Sequence, residues 1–307
     1  MMSETEPKII NPDLLKAMPL PETPAKGQRP QRGAMLVVVG SKHQPGPAIL
    51  AARAALRCGI EVYLAAPESI ALQISIMHPE VLPIPLPESP NGTVERDGLG
   101  LLKEQAAACT AAVLSPGSPR DEANIRQLQE VLDEMSLPLV ADHATADVSK
   151  RKAKQNSNST ATRIWIVSQI SAGNAADSLD SWGKQAAERN ATHIVMANSE
   201  GAPHVIAPDG TQYKDTTEAC GLQVSGSSHV LSGIVAAFLA QKVEPITASV
   251  WGVHILTQAM EAAQKDLGDN SVIAGDLPQR IPSVIRYLKR TIEQRKDSQP
   301  FGLRRNV

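Results

Sequence analysis

The sequence predicts an α/β fold: a doubly wound, mostly parallel sheet flanked by helices on both faces. Three observations predict it. The run Met35–Val39 is apolar without interruption, as a strand buried on both faces must be. From Met35 to Ala66 the order is strand, glycine turn, Ala-rich helix, strand, which is the parallel crossover unit. The alternation then repeats to about Ala197. In such sheets ligands lie at the carboxyl ends of the strands, near the point where strand order reverses.

Residues 1–34 read as a polar N-terminal arm. It carries one short helix from about Asn11 to Met18, with Asn11 or Asp13 near its cap and Pro12 in its first turn. Prolines break the chain from Pro19 to Pro30. Residues 35–307 read as one domain. Gly40 and Ser41 end the first strand, a helix runs from about Pro47 to Cys58, and Gly59 stands at its C-terminal cap. Glu61–Ala66 is the second strand. Leu101–Cys109 and Asp121–Met135 read as helices, Ala111–Leu114 and Leu137–Ala141 as strands. Residues 151–162, rich in Lys, Ser, Asn and Thr, read as a mobile loop. A strand at Ile164–Val167, a helix at Ser178–Asn190 and a strand at His193–Ala197 follow. Pro208-Asp209-Gly210 separates two short β-type runs, so a hairpin is expected there. From Ser228 the chain reads as helical, at Val230–Leu239, Ile246–Asp266, near Asp276 and at Ser283–Arg295.

Composition narrows the function classes. Hydrophobic residues make up 42% and aromatic residues only 3%, so small aliphatic side chains must fill the core. The net charge of -2 argues against nucleic acid as a partner, because neutralising phosphates needs a basic surface. The basic stretches, Arg151–Lys154 and the tail from Arg286 to Arg305, read as solvated charge. Cys58, Cys109 and Cys220 are isolated and form neither a disulfide framework nor a zinc motif. No apolar run reaches the length of a membrane span, and no signal-peptide core follows the N-terminus. The expectation is therefore a cytoplasmic protein without a membrane partner.

Several segments together carry a resemblance. The stretch VVVGSKHQPGPAILAARAALRCGIEVYLAAP (Val37–Pro67) and the lead-in NPDLLKAMPLPE (Asn11–Glu22) form one end. GSSHVLSGIVAAFLAQKVEPITASVWGVH (Gly226–His254) and VIAGDLPQRIPSVI (Val272–Ile285) form the other. SPGS (Ser115–Ser118) and Asp142 lie between them. In this order they resemble the motifs of the nucleotide-dependent NAD(P)H-hydrate dehydratases, members of the ribokinase-like superfamily. The resemblance implies that fold, repair of hydrated NADH or NADPH as the activity, and ATP or ADP as co-substrate. Mg2+ is left open as a companion ion, and a homo-oligomer is implied. In that chemistry a glycine-led helix N-terminus holds phosphate. A base beside it takes the substrate hydroxyl proton, and the phosphorylated hydroxyl then leaves.

Carried onto this chain, the resemblance places nucleotide phosphate at Gly226, Ser227 and Ser228, with Gly201 nearby. Substrate falls near Gly46, Pro47, Gly117 and Asp142. His229 stands where the family has its acidic base. A neutral imidazole can act as a base near neutral pH, a protonated one would favour bound phosphate, and a helix-capping role is the third option. Ala144 replaces the second acid of the Asp142 motif. The stretches VSQISAGNA (Val167–Ala175) and NSEGAP (Asn198–Pro203) lack the family's His, Glu and Lys. Three readings stay open: a divergent dehydratase, a non-catalytic protein binding a nucleotide or a partner, and a small-molecule kinase of the same superfamily. His43, His78, His143, His193, His204 and His254 show no metal-ligand spacing, so surface or satisfied structural roles are expected.

Overall fold

Strand β2 (Ala34–Val39) is buried along its whole length. Its residues point alternately to two cores, as a strand's period of two requires. Met35, Val37 and Val39 face one, Leu36 and Val38 the other. The computed structural model of the protein describes residues 6–21, 33–115, 122–142, 162–167, 179–196, 202–217 and 224–297.

The remaining strands are β1 (Lys8–Ile9), β3 (Glu61–Pro67), β4 (Val81–Leu86), β5 (Ala111–Ser115), β6 (Leu139–Asp142), β7 (Arg163–Val167), β8 (Thr192–Val195), β9 (His204–Ile206) and β10 (Gln212–Lys214). They form one sheet in the order β1-β10-β9-β8-β7-β6-β5-β2-β3-β4. The block from β4 to β8 is parallel. Strand β9 runs antiparallel to β8 and to β10, so the expected hairpin is present, and β1 adds in parallel to β10. After β2 the chain builds β3 and β4 on one side, then returns to β5 on the other. Strand order therefore reverses between β2 and β5.

The helices are α1 (Pro12–Ala17), α2 (Gly46–Arg57), α3 (Glu68–Met77), α4 (Gly98–Gln105), α5 (Glu122–Glu134), α6 (Leu179–Arg189), α7 (Ser227–Ala240), α8 (Pro245–Leu267) and α9 (Ile281–Asp297). Short 3-10 turns stand at Ala274–Asp276 and Pro278–Arg280. Core residues of α2, α3, α7 and α8 cluster on one face of the sheet, and those of α4 and α5 on the other. This is the doubly wound arrangement the sequence predicts. No helix among the described residues is long and apolar enough to cross a membrane.

Three elements lie where the sequence reading places none, the short edge strand β1 among them. Helix α3 buries Ala71 and Ile74 but exposes Leu72, Ile76 and Met77, so its apolar residues follow no single stripe. Strand β4 contains Pro83 and Pro85, which argues against a strand in sequence. It survives because it is an edge. Alternate N–H groups point to alternate sides, so both missing donors fall on the open side, where they also discourage strand addition. Helix α4 spans Gly98–Gln105 rather than Leu101–Cys109, because Leu99 and Leu102 are the residues buried, and Cys109 already leads into β5.

The lead-in is more engaged than a polar arm. Asn11 Oδ1 accepts the Leu14 N–H at 2.9 Å and caps α1. Leu15 is fully buried, and Trp251 Nε1 on α8 donates to Met18 O at 2.6 Å. Cys109 is buried and Cys58 half-buried. Desolvation pushes both thiols up to about 12, as inert structural cysteines require.

One aspartate–histidine pair is buried in the interior. Asp215, just beyond β10, is 1% exposed. Its Oδ2 accepts from His254 Nδ1 at 2.8 Å and from Thr257 Oγ1 at 3.0 Å. Burial alone would push the Asp215 carboxyl up, but the hydrogen bond and charge of His254 outweigh it and hold the group below the ordinary carboxylate value. A carboxylate depressed on folding contributes stability that is complete above its unfolded pKa and lost as pH falls through the folded one. Urea unfolding over a pH series should show this loss below the ordinary Asp range. Asp215→Asn should flatten it.

Candidate functional site

The reversal of strand order puts the expected crevice at the carboxyl ends of β2 and β5. Helix α2 leaves β2 and so begins at that edge. Helix α7 also begins there, because its other end is fixed at the opposite edge. Ala240 O accepts from Thr110 Oγ1 at 2.8 Å, and the Thr110 N–H donates to Ala34 O at 2.9 Å, both at the amino ends of β2 and β5. Gln241 Nε2 donates to Cys58 O at 3.4 Å and ties the far ends of the two helices. Two helix N-termini, each with the positive end of a dipole, therefore open on the same edge of the sheet.

The pair can lie so close because of glycines. A Cβ on Gly233, in the middle of α7, would stand 2.1 Å from Ala51 O of α2. Gly226, at the head of α7, has φ +95°, and a Cβ there would meet Leu50 Cδ1 at 2.8 Å and Ala274 Cβ at 3.0 Å. Only glycine adopts that backbone without strain. Gly226→Ala should therefore cost about 1–2 kcal/mol in backbone strain alone, plus the displacement of Leu50. Denaturant unfolding measures it, and nucleotide-induced thermal shift should shrink alongside.

The amides at the head of α7 are partly committed. Ser227 N–H donates to Val224 O at 3.0 Å, and the N–H groups of His229 and Val230 to Gly226 O at 3.1 and 3.3 Å. The Ser228 N–H has no backbone acceptor among the described residues. The Ser228 carbonyl accepts from Ser232 Oγ at 2.9 Å. Ser227 is buried at 3% exposure, whereas Ser228 and His229 are half-buried. The first turn of α7 holds no acidic side chain, so nothing within it opposes an incoming anion.

Gly46 and Pro47 open α2 at the same edge. Among the described residues, leaving out its chain neighbours and its own helix backbone, no atom lies within 4 Å of where a Gly46 side chain would begin. Asp142 ends β6, paired with Ile166 of β7, and its side chain lies outside the described residues. Gly117, Gly201, the 151–161 part of the expected loop, 168–175 and 198–201 also lie outside them.

Sequence reasoning missed the wall beside β2. Ser41 is buried at 1% exposure and bridges Thr93. Lys42 Nζ donates to Glu88 Oε1 at 2.6 Å, and His43 Nε2 lies 3.1 Å from Asn91 O. The hydrogen bond from Lys42, aided by Ser69, holds the Glu88 carboxyl below its ordinary range. Only the position just past the first strand could have flagged these residues. Of the histidines, His193 and His204 are fully buried and His254 pairs with Asp215, and His143 lies outside the described residues. Among the described residues no three potential ligands gather as a metal site.

A parallel sheet with its order reversed between β2 and β5, and a left-handed glycine opening α7 at that edge, define a ribokinase-like α/β protein. Solved structures agree with that class. The ADP/ATP-dependent NAD(P)H-hydrate dehydratase of Bacillus subtilis, co-crystallised with ATP/Mg2+, superposes with a TM-score of 0.71 at 19% identity, covering 92% of this chain and 99% of that one. Pyridoxal kinase from Lactobacillus plantarum gives 0.51 at 13% identity, covering 83% and 98%. The NAD(P)H-hydrate dehydratase family profile matches residues 35–283, and the chain belongs to that family.

Its relatives include the bifunctional NAD(P)H-hydrate repair enzyme Nnr of Moorella thermoacetica, 31% identical over 288 residues, which cover 89% of this chain and 53% of the relative. The ADP-dependent (S)-NAD(P)H-hydrate dehydratase of Xanthomonas campestris is 29% identical over 287 residues, 90% of this chain and 95% of the relative. The chain thus spans about half the length of the bifunctional relative and nearly all of the Xanthomonas one.

Proposed function

We propose that this chain dehydrates hydrated NADH and NADPH with ATP or ADP as co-substrate, at the edge where α2 and α7 begin. The observation that carries the reading is the head of α7. A left-handed glycine turns the chain, the Ser228 amide has no backbone acceptor among the described residues, and the first turn of the helix holds no acid. That donor set fits a phosphate. Ser228 would hold it with its amide and hydroxyl. The bound nucleotide supplies the phosphoryl group that makes the substrate hydroxyl a leaving group. His229, one position further on, would take the hydroxyl proton. Gly46 leaves room for the substrate, and Asp142, Gly117 and Gly201 belong to the same proposal. An accompanying Mg2+ would rest mainly on phosphate oxygens and water, as that ion commonly does, with Asp142 as the candidate carboxylate.

Family membership favours this reading over a kinase or a protein that only binds. The test is incubation of the purified protein with hydrated NADH and ATP or ADP, following the return of reduced-nicotinamide absorbance. Return at an enzymatic rate is expected. Nucleotide binding without return, seen as a thermal shift alone, would identify a binding protein instead. A cytoplasmic location and a homo-oligomer belong to the proposal. Light scattering on the purified chain checks the second.

A further inference from the structure

The interior pair Asp215–His254 joins the chain ahead of Gly226 to the last residue of the Gly226–His254 motif stretch. Asp215 Oδ1 accepts the Thr217 N–H at 2.9 Å and shapes a turn. Its Oδ2 takes His254 and Thr257 of α8. Thr217 Oγ1 accepts from Gln258 Nε2 at 3.3 Å. Three successive contact points on α8 thus hold residues 215–217. Residues 218–223 then lead to Val224, whose carbonyl takes the Ser227 N–H at the head of α7.

Helix α8 also locates α7 itself. A Cβ on Gly252 would stand 2.6 Å from Val235 Cγ2 and 3.4 Å from Leu231 Cδ1, so the two helices are in close register. Helix α8 therefore holds both residues 215–217 and the body of α7. A buried ion pair adds little net stability over an apolar pair of similar volume. What it adds is direction, since each hydrogen bond is lost if the segment shifts by an ångström or so.

We infer that Asp215, held by His254, Thr257 and Gln258, is a positioning residue that sets the geometry of the anion-binding head of α7. The inference rests on the proposed function for its ligand but not for its geometry. The paired replacement Asp215→Leu with His254→Leu removes direction while keeping the site filled. It should leave the urea midpoint near that of the unaltered protein. Hydrogen exchange of the amides at 224–229 should quicken tenfold or more, and MgATP should bind at least tenfold more weakly by calorimetry. Asp215→Asn, which keeps one acceptor oxygen for the Thr217 N–H but puts an amide donor where Oδ2 took His254 and Thr257, should recover part of both losses.

Should the paired variant fail to fold, Gln258→Leu decides the matter. It cuts the Thr217 link, together with a contact to Glu261 within α8, at a half-buried position and should raise exchange at 224–229 about threefold. A folded variant with unchanged exchange at 224–229 overturns the inference. An unaltered protein that binds no MgATP, while exchange at 224–229 still responds to the variants, refutes the functional reading and upholds the anchor.

Discussion

Replacing His229 by alanine is expected to lower turnover of hydrated NADH by about 10²–10⁴-fold, the usual contribution of a general base, and to leave the protein folded. The side chain is half-buried in the first turn of α7. The Ser228 amide one residue earlier stays in place, so MgATP binding should change little. The informative partner variant is His229→Asp. An imidazole titrates within the physiological range, whereas a carboxylate is ionised well below it. The unaltered protein should therefore lose activity as pH falls below neutrality, and His229→Asp should keep it there. Identical acid limbs in the two proteins would show that His229 is not the proton acceptor.

Gly233→Ala is expected to produce the largest loss of stability from a single methyl group, about 3 kcal/mol, at the upper end for overpacked cores. The added carbon would sit 2.1 Å from Ala51 O, 2.8 Å from its carbonyl carbon and 2.9 Å from its Cα. All three are backbone atoms of α2, so no side chain can rotate aside and the helices must part. Because the heads of α2 and α7 frame the same edge, nucleotide binding should weaken in the same variant. Gly183→Ala is the control. It lies within α6 with no atom of the described residues inside 4 Å of the new carbon, and should stabilise by about 0.5–1 kcal/mol as an ordinary helix substitution. Guanidinium unfolding of the three proteins gives the comparison directly.

Much of the architecture was legible in sequence because burial on two faces leaves a distinctive mark. Met35–Val39 needed no neighbour to be read as a central strand, and Asn11-Pro12 announced the start of α1. The elements that escaped did so for physical reasons. Strand β4 hides behind Pro83 and Pro85, which only an edge position excuses. Helix α3 hides because Leu72, Ile76 and Met77 face outward and blur its stripe. At the candidate site, the resemblance to a known family marked Gly46, Gly226 and His229. Lys42 and Glu88 carried no signal, since 46 positions separate them along the chain.

By itself the sequence determined the alternation of strands and helices, the glycine at the head of α7 and membership in a motif-bearing family. These are local properties, written in burial pattern, turn chemistry and short spacings. Only the tertiary structure decided that α2 and α7 lie side by side with both N-termini at one edge, and that Asp215 meets His254 across 39 positions. Such contacts depend on the path of the chain through space. No periodicity encodes which glycine will face Ala51, or which aspartate will find its histidine.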